Sequence, residues 1–236
     1  MIVIKGFIEM SMLDWEGKMV STLYLPYCNL RCPYCHNSGL VLNPEQYHSI
    51  PIEIVIDYLI RRRDWIDGVC ITGGEPCMYE ELPDFIRRLR DTGIRVKLDT
   101  NGSFPDMLQS LIDESLIDYI AMDIKSALDD KSYAQAAGIK DENIVERVRK
   151  SIEIIMNSGV DYEFRTTIVP TLHTKETLTA IAESIKGAKQ YVLQAFVPNN
   201  TLDPEYLKIT PYTDEQMQEI QQVVLPYVQR CVLRGV

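Results

Sequence analysis

Residues 20–37 read Val-Ser-Thr-Leu-Tyr-Leu-Pro-Tyr-Cys-Asn-Leu-Arg-Cys-Pro-Tyr-Cys-His-Asn: a six-residue β-type run that breaks at Pro26 into a loop carrying three cysteines in eight residues. Five more β-type runs follow, at 68–72, 95–100, 119–125, 162–169 and 191–196. Between them apolar residues recur at helical spacing. The stripes are Ile52/Val55/Ile56/Leu59/Ile60, Leu82/Phe85/Ile86/Leu89, Leu108/Leu111/Ile112, Val145/Val148/Ile152/Ile155 and Leu178/Ile181/Ala182/Ile185. A last helix is expected to open at Thr213-x-x-Gln216, a capping-box pattern, with Met217, Ile220 and Val224 on its apolar face. Six alternations of strand and helix predict parallel strands joined by helical crossovers. The right-handed crossover rule narrows that α/β class to a doubly wound sheet or a barrel. Residues 1–19 read as a short β-hairpin or cap, residues 197–236 as a C-terminal extension with one helix, and the whole of 1–236 as one domain.

The composition sets limits on function. Of 236 residues, 46% are hydrophobic and 25% charged, the profile of a globular chain. Lysine and arginine number 24 against 34 acidic residues, a formal charge of −10. Nucleic acid or an anionic membrane calls for a basic patch, and the densest one here, Arg61-Arg62-Arg63, is followed at once by Asp64. Neither partner is expected. No run approaches the ~20 apolar residues of a membrane helix, and the start has no charged leader or cleavage site. Six cysteines do not make a disulfide scaffold. A cytoplasmic location with reduced thiols is expected.

Buried parallel strands normally read as continuous apolar runs. Here alternation puts Lys97, Asp99 and Asn101 on one face of the third strand, Asp123 and Lys125 on one face of the fourth, and Glu163, Arg165 and Thr167 on one face of the fifth. Gln194 continues the pattern on the sixth. Edge positions or mutually satisfied pairs would explain any one of these. Their recurrence near the C-terminal ends of consecutive strands, where α/β folds bind ligands, favours a polar-lined cavity.

Three thiols at Cys28, Cys32 and Cys35 converge only if the loop wraps around something, usually a metal or cluster in a reducing compartment. A zinc site of Cys28, Cys32, Cys35 and His36 is one reading. It lacks a second separated ligand arm, and adjacent Cys35 and His36 would strain a tetrahedron. A four-iron cluster normally takes four thiolates, so three would leave one iron open. Three unrelated reduced cysteines remain the plain alternative.

C-x3-C-x2-C after a first strand, with Tyr34 before the last cysteine, resembles the radical S-adenosylmethionine superfamily. Thr72-Gly73-Gly74-Glu75-Pro76 ends the second strand where that superfamily carries its GGE motif. Leu98-Asp99-Thr100-Asn101-Gly102 and Met122-Asp123-Ile124-Lys125 are similar to its glycyl-radical activating branch. Gly6-Phe7, Ser11-x-x-Asp14-x-x-Gly17, Cys35-His36-Asn37, Leu193-Gln194-Ala195-Phe196-x-Pro198 and Thr201-Leu202-Asp203-Pro204-Glu205 extend the likeness over almost the whole chain. They resemble the anaerobic ribonucleoside-triphosphate reductase activating proteins. One departure is Tyr27, where members commonly carry glycine before the first cysteine.

The resemblance implies a partial (β/α)6 barrel of the radical S-adenosylmethionine type over 20–196. It implies a [4Fe-4S] cluster on Cys28, Cys32 and Cys35 with one open iron, which binds S-adenosylmethionine and cleaves it reductively to a 5′-deoxyadenosyl radical. Gly73, Gly74 and Glu75 would meet the methionyl amino group and Asp99 its ammonium charge, with Thr100 and Asn101 in the same motif. Lys125 would meet the methionyl carboxylate, as charge complementarity for a zwitterion requires. The Tyr34 backbone would meet adenine, Asp123 a monovalent cation or further polar contact, and Arg165 would lie deeper. Implied partners are a glycyl-radical enzyme, anaerobic ribonucleotide reductase foremost, and a flavodoxin- or ferredoxin-like electron donor. A small-molecule or peptide substrate is the alternative, and a zinc-bound interaction module a third reading. Cys70 reads as a buried strand residue, Cys77 as structural, and His48 and His173 as loop or helix-start residues. His36 reads as a residue that positions the cysteine loop.

Overall fold

The computed structural model describes residues 2–236. Its contacts gather into two compact units. The first holds the residues up to Asn29, Asn37–Thr100 and Asp106–Ile120; the second holds Leu30–His36, Asn101–Pro105 and Ala121–Val236. The fold is α/β with a mostly parallel sheet whose strand order follows the chain, β1 to β8.

In the first unit β1 (Gly6–Ser11) pairs antiparallel with β2 (Val20–Leu25), and β3 (Gly68–Gly73) and β4 (Arg95–Thr100) follow in parallel. The N-terminal hairpin is therefore formed between β1 and the first parallel strand, not within residues 1–19. Helices α1 (Ser38–Leu42), α2 (Ile52–Arg62), α3 (Leu82–Arg90) and α4 (Pro105–Asp113) connect the strands. The core is built from Val20, Leu23, Leu25, Val69, Ile71, Val96 and Leu98, all fully buried, with Val55, Leu59, Leu82, Ile86 and Leu89 from the helices. Each such side chain contributes about 1.5–3 kcal/mol on leaving water. The α2 stripe is narrower than its spacing predicts, because Ile60 is exposed.

Strand β5 (Tyr119–Asp123) starts in the first unit, where the Asp118 N–H donates to Val96 O at 2.8 Å. In the second unit the Ile124 N–H donates to Arg165 O at 2.8 Å on β6 (Asp161–Ile168). Parallel strands β7 (Tyr191–Ala195) and β8 (Cys231–Arg234) complete it. Of helices α5 (Asp130–Ala137), α6 (Ile144–Asn157), α7 (Lys175–Ser184) and α8 (Asp214–Val224), the last three present the expected stripes and α5 is a helix the periodicity did not announce; α8 opens with the Thr213–Gln216 capping box in place. The C-terminal extension therefore holds a strand beyond its helix. Among the described residues no helix is long and apolar enough to cross a membrane.

Candidate cofactor site

In the first unit the chain leaves β2 through Pro26 and Tyr27. Tyr27 sits at φ +57°, a left-handed conformation that disfavours any side chain and suits the glycine usual there. Its N–H donates to Leu40 O at 3.0 Å, and its carbonyl accepts the Glu75 N–H at 2.9 Å. The Gly74 N–H donates to Leu25 O at 2.8 Å. A Cβ on Gly74 would stand 1.6 Å from Tyr27 O, so the two turns pack backbone on backbone. The Asn37 amide donates to Gly73 O at 2.7 Å and ties the far end of the cysteine segment to the same turn.

Glu75 is buried. Its Oε1 accepts the Cys77 N–H at 3.0 Å and the Thr100 hydroxyl at 2.8 Å, capping the short 3-10 turn Pro76–Met78. Burial, then the Glu75 charge, pushes the Cys77 thiol well above its ordinary range. Asp99 pairs with buried Lys97 at 3.0 Å and accepts the Thr72 hydroxyl at 3.2 Å and the Cys70 thiol at 3.6 Å. Lys97 also donates to the main-chain carbonyl of Asp14, whose carboxylate accepts the Thr22 hydroxyl at 2.7 Å. Burial, then Asp14, pushes the Tyr24 phenol up to about 12.

In the second unit the cysteine segment is held from several sides. The Cys35 N–H donates to Cys32 O at 3.0 Å, making the turn tight. The Arg31 N–H donates to Ala137 O at 2.8 Å at the end of α5. Gly138, left-handed at φ +66°, caps that helix so closely that a Cβ would lie 1.9 Å from Arg31 O. The C-terminal extension supplies the remaining tethers. The Asp203 N–H donates to Pro33 O at 2.8 Å, and the Asn200 amide to His36 O at 2.7 Å. His36 Nε2 donates to Val197 O at 2.8 Å while its ring stacks on Phe196. Cys32 is buried; Cys28 and Cys35 are half-buried, and none of the six cysteines is in a disulfide.

Asp123, Lys125 and Arg165 come together as the strand alternation predicts. Arg165 Nε lies 2.8 Å and Lys125 Nζ 3.0 Å from the Asp123 carboxylate. Burial works to raise the Asp123 pKa, but Arg165 and Lys125 overcome it and hold the carboxyl well below its usual range. Burial works against the Lys125 charge, yet Asp123 and Cys32 keep its amine well above its ordinary value. Arg165 also approaches Glu163 at 3.9 Å; Glu163 is buried and bound by Arg234 at 3.2 Å and the Gln190 amide at 3.0 Å. Tyr34 is buried, and burial, then Cys32, raises its phenol well above the ordinary value. Asn101 is buried as well; its Oδ1 accepts the Ser103 N–H at 3.0 Å.

Sequence reasoning missed four supports. His173, read as a loop or helix-start residue, does precede the Thr174 cap of α7, but it is fully buried: its Nδ1 accepts the Val169 N–H at 2.9 Å and its Nε2 donates to Lys125 O at 2.8 Å. Asn37, Asn200 and Arg234 are the others. Each reaches a partner far away in sequence, so no local pattern announces it.

Among the described residues no three His, Cys, Asp or Glu side chains gather around a point that one ion could occupy. A single zinc takes its thiolates at about 2.3 Å from one point, whereas a four-iron cluster takes each thiolate on a separate iron. The donor set fits the cluster. Three cysteines in no disulfide lie within eight residues, whereas Cys70 and Cys77 stand apart from them and are buried, Cys70 against Asp99 and Cys77 behind Glu75.

Residues 22–188 match the radical SAM superfamily, and the chain belongs to it. A Methanocaldococcus jannaschii protein named for glycyl-radical enzyme activation is 29% identical over 99% of this chain and 96% of its own length. The pyruvate formate-lyase-activating enzyme of Clostridium pasteurianum is 29% identical over 82% of this chain and 80% of its own. Streptococcus suis SuiB, solved bound to S-adenosylmethionine, superposes with a TM-score of 0.67 at 17% identity. That match covers 91% of this chain and 52% of SuiB, and it speaks for the fold alone. The expected α/β architecture and superfamily are thereby met, and the family implies a [4Fe-4S] cluster and S-adenosylmethionine.

Proposed function

We propose that this protein is a glycyl-radical enzyme activase, with anaerobic ribonucleoside-triphosphate reductase as its target and a flavodoxin- or ferredoxin-like protein as its electron donor. The observation that carries the reading is a loop with three cysteines in eight residues, in a chain that matches a glycyl-radical activating relative from end to end. Cys28, Cys32 and Cys35 would hold the cluster. When bound, that cluster supplies, at an open iron, the electron that splits the sulfonium C–S bond of S-adenosylmethionine and releases a hydrogen-abstracting 5′-deoxyadenosyl radical.

The chain's own part is orientation and exclusion of water. Asp99 would take the methionyl ammonium, aimed by Lys97 and Thr72. Lys125 would take the carboxylate, kept charged by Asp123. Gly73 and Gly74 would present main chain to the amino group, and buried Glu75, with Thr100, would fix the shape of that turn. The Tyr34 backbone would meet adenine, and Asn101, in the Asp99 motif, would hold the turn beyond β4 through Ser103. A monovalent cation at Asp123 would meet Arg165 and Lys125 at hydrogen-bonding range. We therefore assign Asp123 to those two side chains.

Protein purified without oxygen, reconstituted with iron and sulfide and reduced, should turn S-adenosylmethionine into 5′-deoxyadenosine. Cys32→Ala should abolish turnover; a variant that retained it would end the proposal. Adding a glycyl-radical enzyme and looking for a stable protein radical by electron paramagnetic resonance separates an activase from an enzyme of small molecules or peptides.

A further inference from the structure

Strand alternation puts two polar residues of the second unit, Thr167 and Gln194, on the side of the sheet that carries Arg165, and neither meets the cofactor in the reading above. The strand register shows what they share. Thr167 on β6 stands level with Gln194 on β7, and Gln194 with Arg234 on β8. Level residues of parallel strands point to the same side, so the three make one row across three strands. The next row on that side is Arg165, Val192 and Val232. Arg165 reaches Asp123 at 2.8 Å, Asp123 holds Lys125 at 3.0 Å, and Arg234 reaches Glu163 at 3.2 Å. The row therefore shares its side with Lys125. It lies at the C-terminal ends of its strands, which stop at Ile168, Ala195 and Arg234, where α/β folds bind ligands.

The charged groups around the row hold one another. Asp123 takes Arg165 and Lys125, and Glu163 takes Arg234 and the Gln190 amide. Three cations, Lys125, Arg165 and Arg234, face two carboxylates, and a cofactor carboxylate at Lys125 removes the surplus. Thr167 and Gln194 differ from these neighbours. Both are half-buried, and among the described residues no hydrogen bond of the fold uses the hydroxyl or the amide. Each can donate and accept. Those are the needs of a peptide group, which has one N–H, one C=O and no charge. A phosphorylated ligand would call for a spare cation, and the count leaves none. The row runs for about 10 Å over two strand spacings, the reach of about three extended residues. It ends on β8, the last strand of the sheet, with no strand beyond it.

We infer that Thr167 and Gln194 bind the main chain of the target protein beside the glycine that becomes the radical, with the Arg234–Glu163 pair closing the end of the row. This rests on the function proposed above and narrows it. The substrate is a stretch of extended peptide recognised through its backbone.

The test uses Gln194→Leu and Thr167→Val in the full chain, reconstituted with iron and sulfide; both keep the side chain's size and remove its hydrogen bonding. The substrate is a synthetic peptide spanning the radical-bearing glycine of anaerobic ribonucleoside-triphosphate reductase. Each variant should raise its KM about tenfold and leave kcat within about twofold, the mark of lost binding rather than lost chemistry. Thr167→Ser keeps the hydroxyl and should restore the wild-type KM. Affinity for S-adenosylmethionine, by anaerobic calorimetry, should stay within about twofold in all three. The two positions lie on separate strands, so a folding defect in one variant leaves the other as the test. An unchanged KM for the peptide would overturn the inference. A loss of cofactor affinity equal to the rise in KM would give the row to the cofactor and overturn it as well. So would a small phosphorylated substrate whose KM rises in the same variants. If the wild-type protein leaves no radical on the reductase itself, by electron paramagnetic resonance, the functional reading falls first and this inference with it.

Discussion

Acidification should loosen this fold between pH 6.5 and 4 through one side chain. His173 is fully buried, and burial lowers its pKa from 6.5 to about 4. Both ring nitrogens are committed: Nδ1 accepts from the Val169 N–H, so the neutral ring carries its proton on Nε2 and donates it to Lys125 O. Protonation puts a second N–H against the Val169 donor. Between the two pKa values the unfolded chain binds more protons than the native one, so stability rises with pH across that window. The contribution is complete above about 6.5 and is lost as pH falls towards 4. At roughly 1.4 kcal/mol per unit the whole difference amounts to about 3 kcal/mol, of which about 2 kcal/mol is gone at pH 5. For a chain of this size that lowers Tm by roughly 4–8 °C. Urea melts followed by circular dichroism at pH 7, 6 and 5 measure it directly. His173→Gln, whose amide has a donor and an acceptor but does not titrate there, should lose clearly less stability over the same interval. Equal pH slopes for the two proteins, or a flat wild-type profile, would refute the reasoning. Asp123 does not interfere, because its depressed pKa places its own loss at still lower pH.

Two backbone predictions accompany this one. Gly74→Ala places a Cβ 1.6 Å from Tyr27 O, a clash with main chain that no rotamer relieves. It should cost at least about 3 kcal/mol in urea melts, and a variant as stable as wild type would show that the two turns can part. Tyr27→Gly should do the opposite. A left-handed non-glycine residue is strained by roughly 1–2 kcal/mol, and glycine's greater unfolded freedom returns about 0.5–1 kcal/mol. A net gain of up to about 1 kcal/mol is expected at this exposed position, while a loss of stability would mean that the tyrosine ring makes contacts worth more than its strain.

What could be read from the sequence, and what could not, divides along the range of the interactions. The longer helices were legible because each stripe repeats a local pattern several times; α6 buries Val145, Val148, Ile152 and Ile155 as spaced, whereas the shorter α1 and α5 went unread. Strand β8 was not, since Cys-Val-Leu-Arg is too short to show a period, and its strand character comes from pairing with β7. Ile60 fits the α2 stripe, yet that helix's buried surface ends short of it. The site divides in the same way. Asp123 ends β5 and Lys125 lies two residues further on, so alternation carried past the strand end puts them on one face, and Arg165 joins them from β6. The supports that went unread act mostly through main-chain carbonyls 36 to 164 residues away: in the first unit Asn37 on Gly73, in the second His173 on Lys125 and Asn200 on His36. Asparagine and histidine are equally at home in turns, which is how their types read locally. Glu75 adds a bond no motif announces: its Oε1 accepts the Cys77 N–H and the Thr100 hydroxyl. Spacing along one strand or loop therefore reveals which groups share a face, whereas the contacts that fix their surroundings are long-range and leave no local pattern. Those contacts, rather than the cysteines themselves, are where single substitutions should separate loop geometry from cluster ligation.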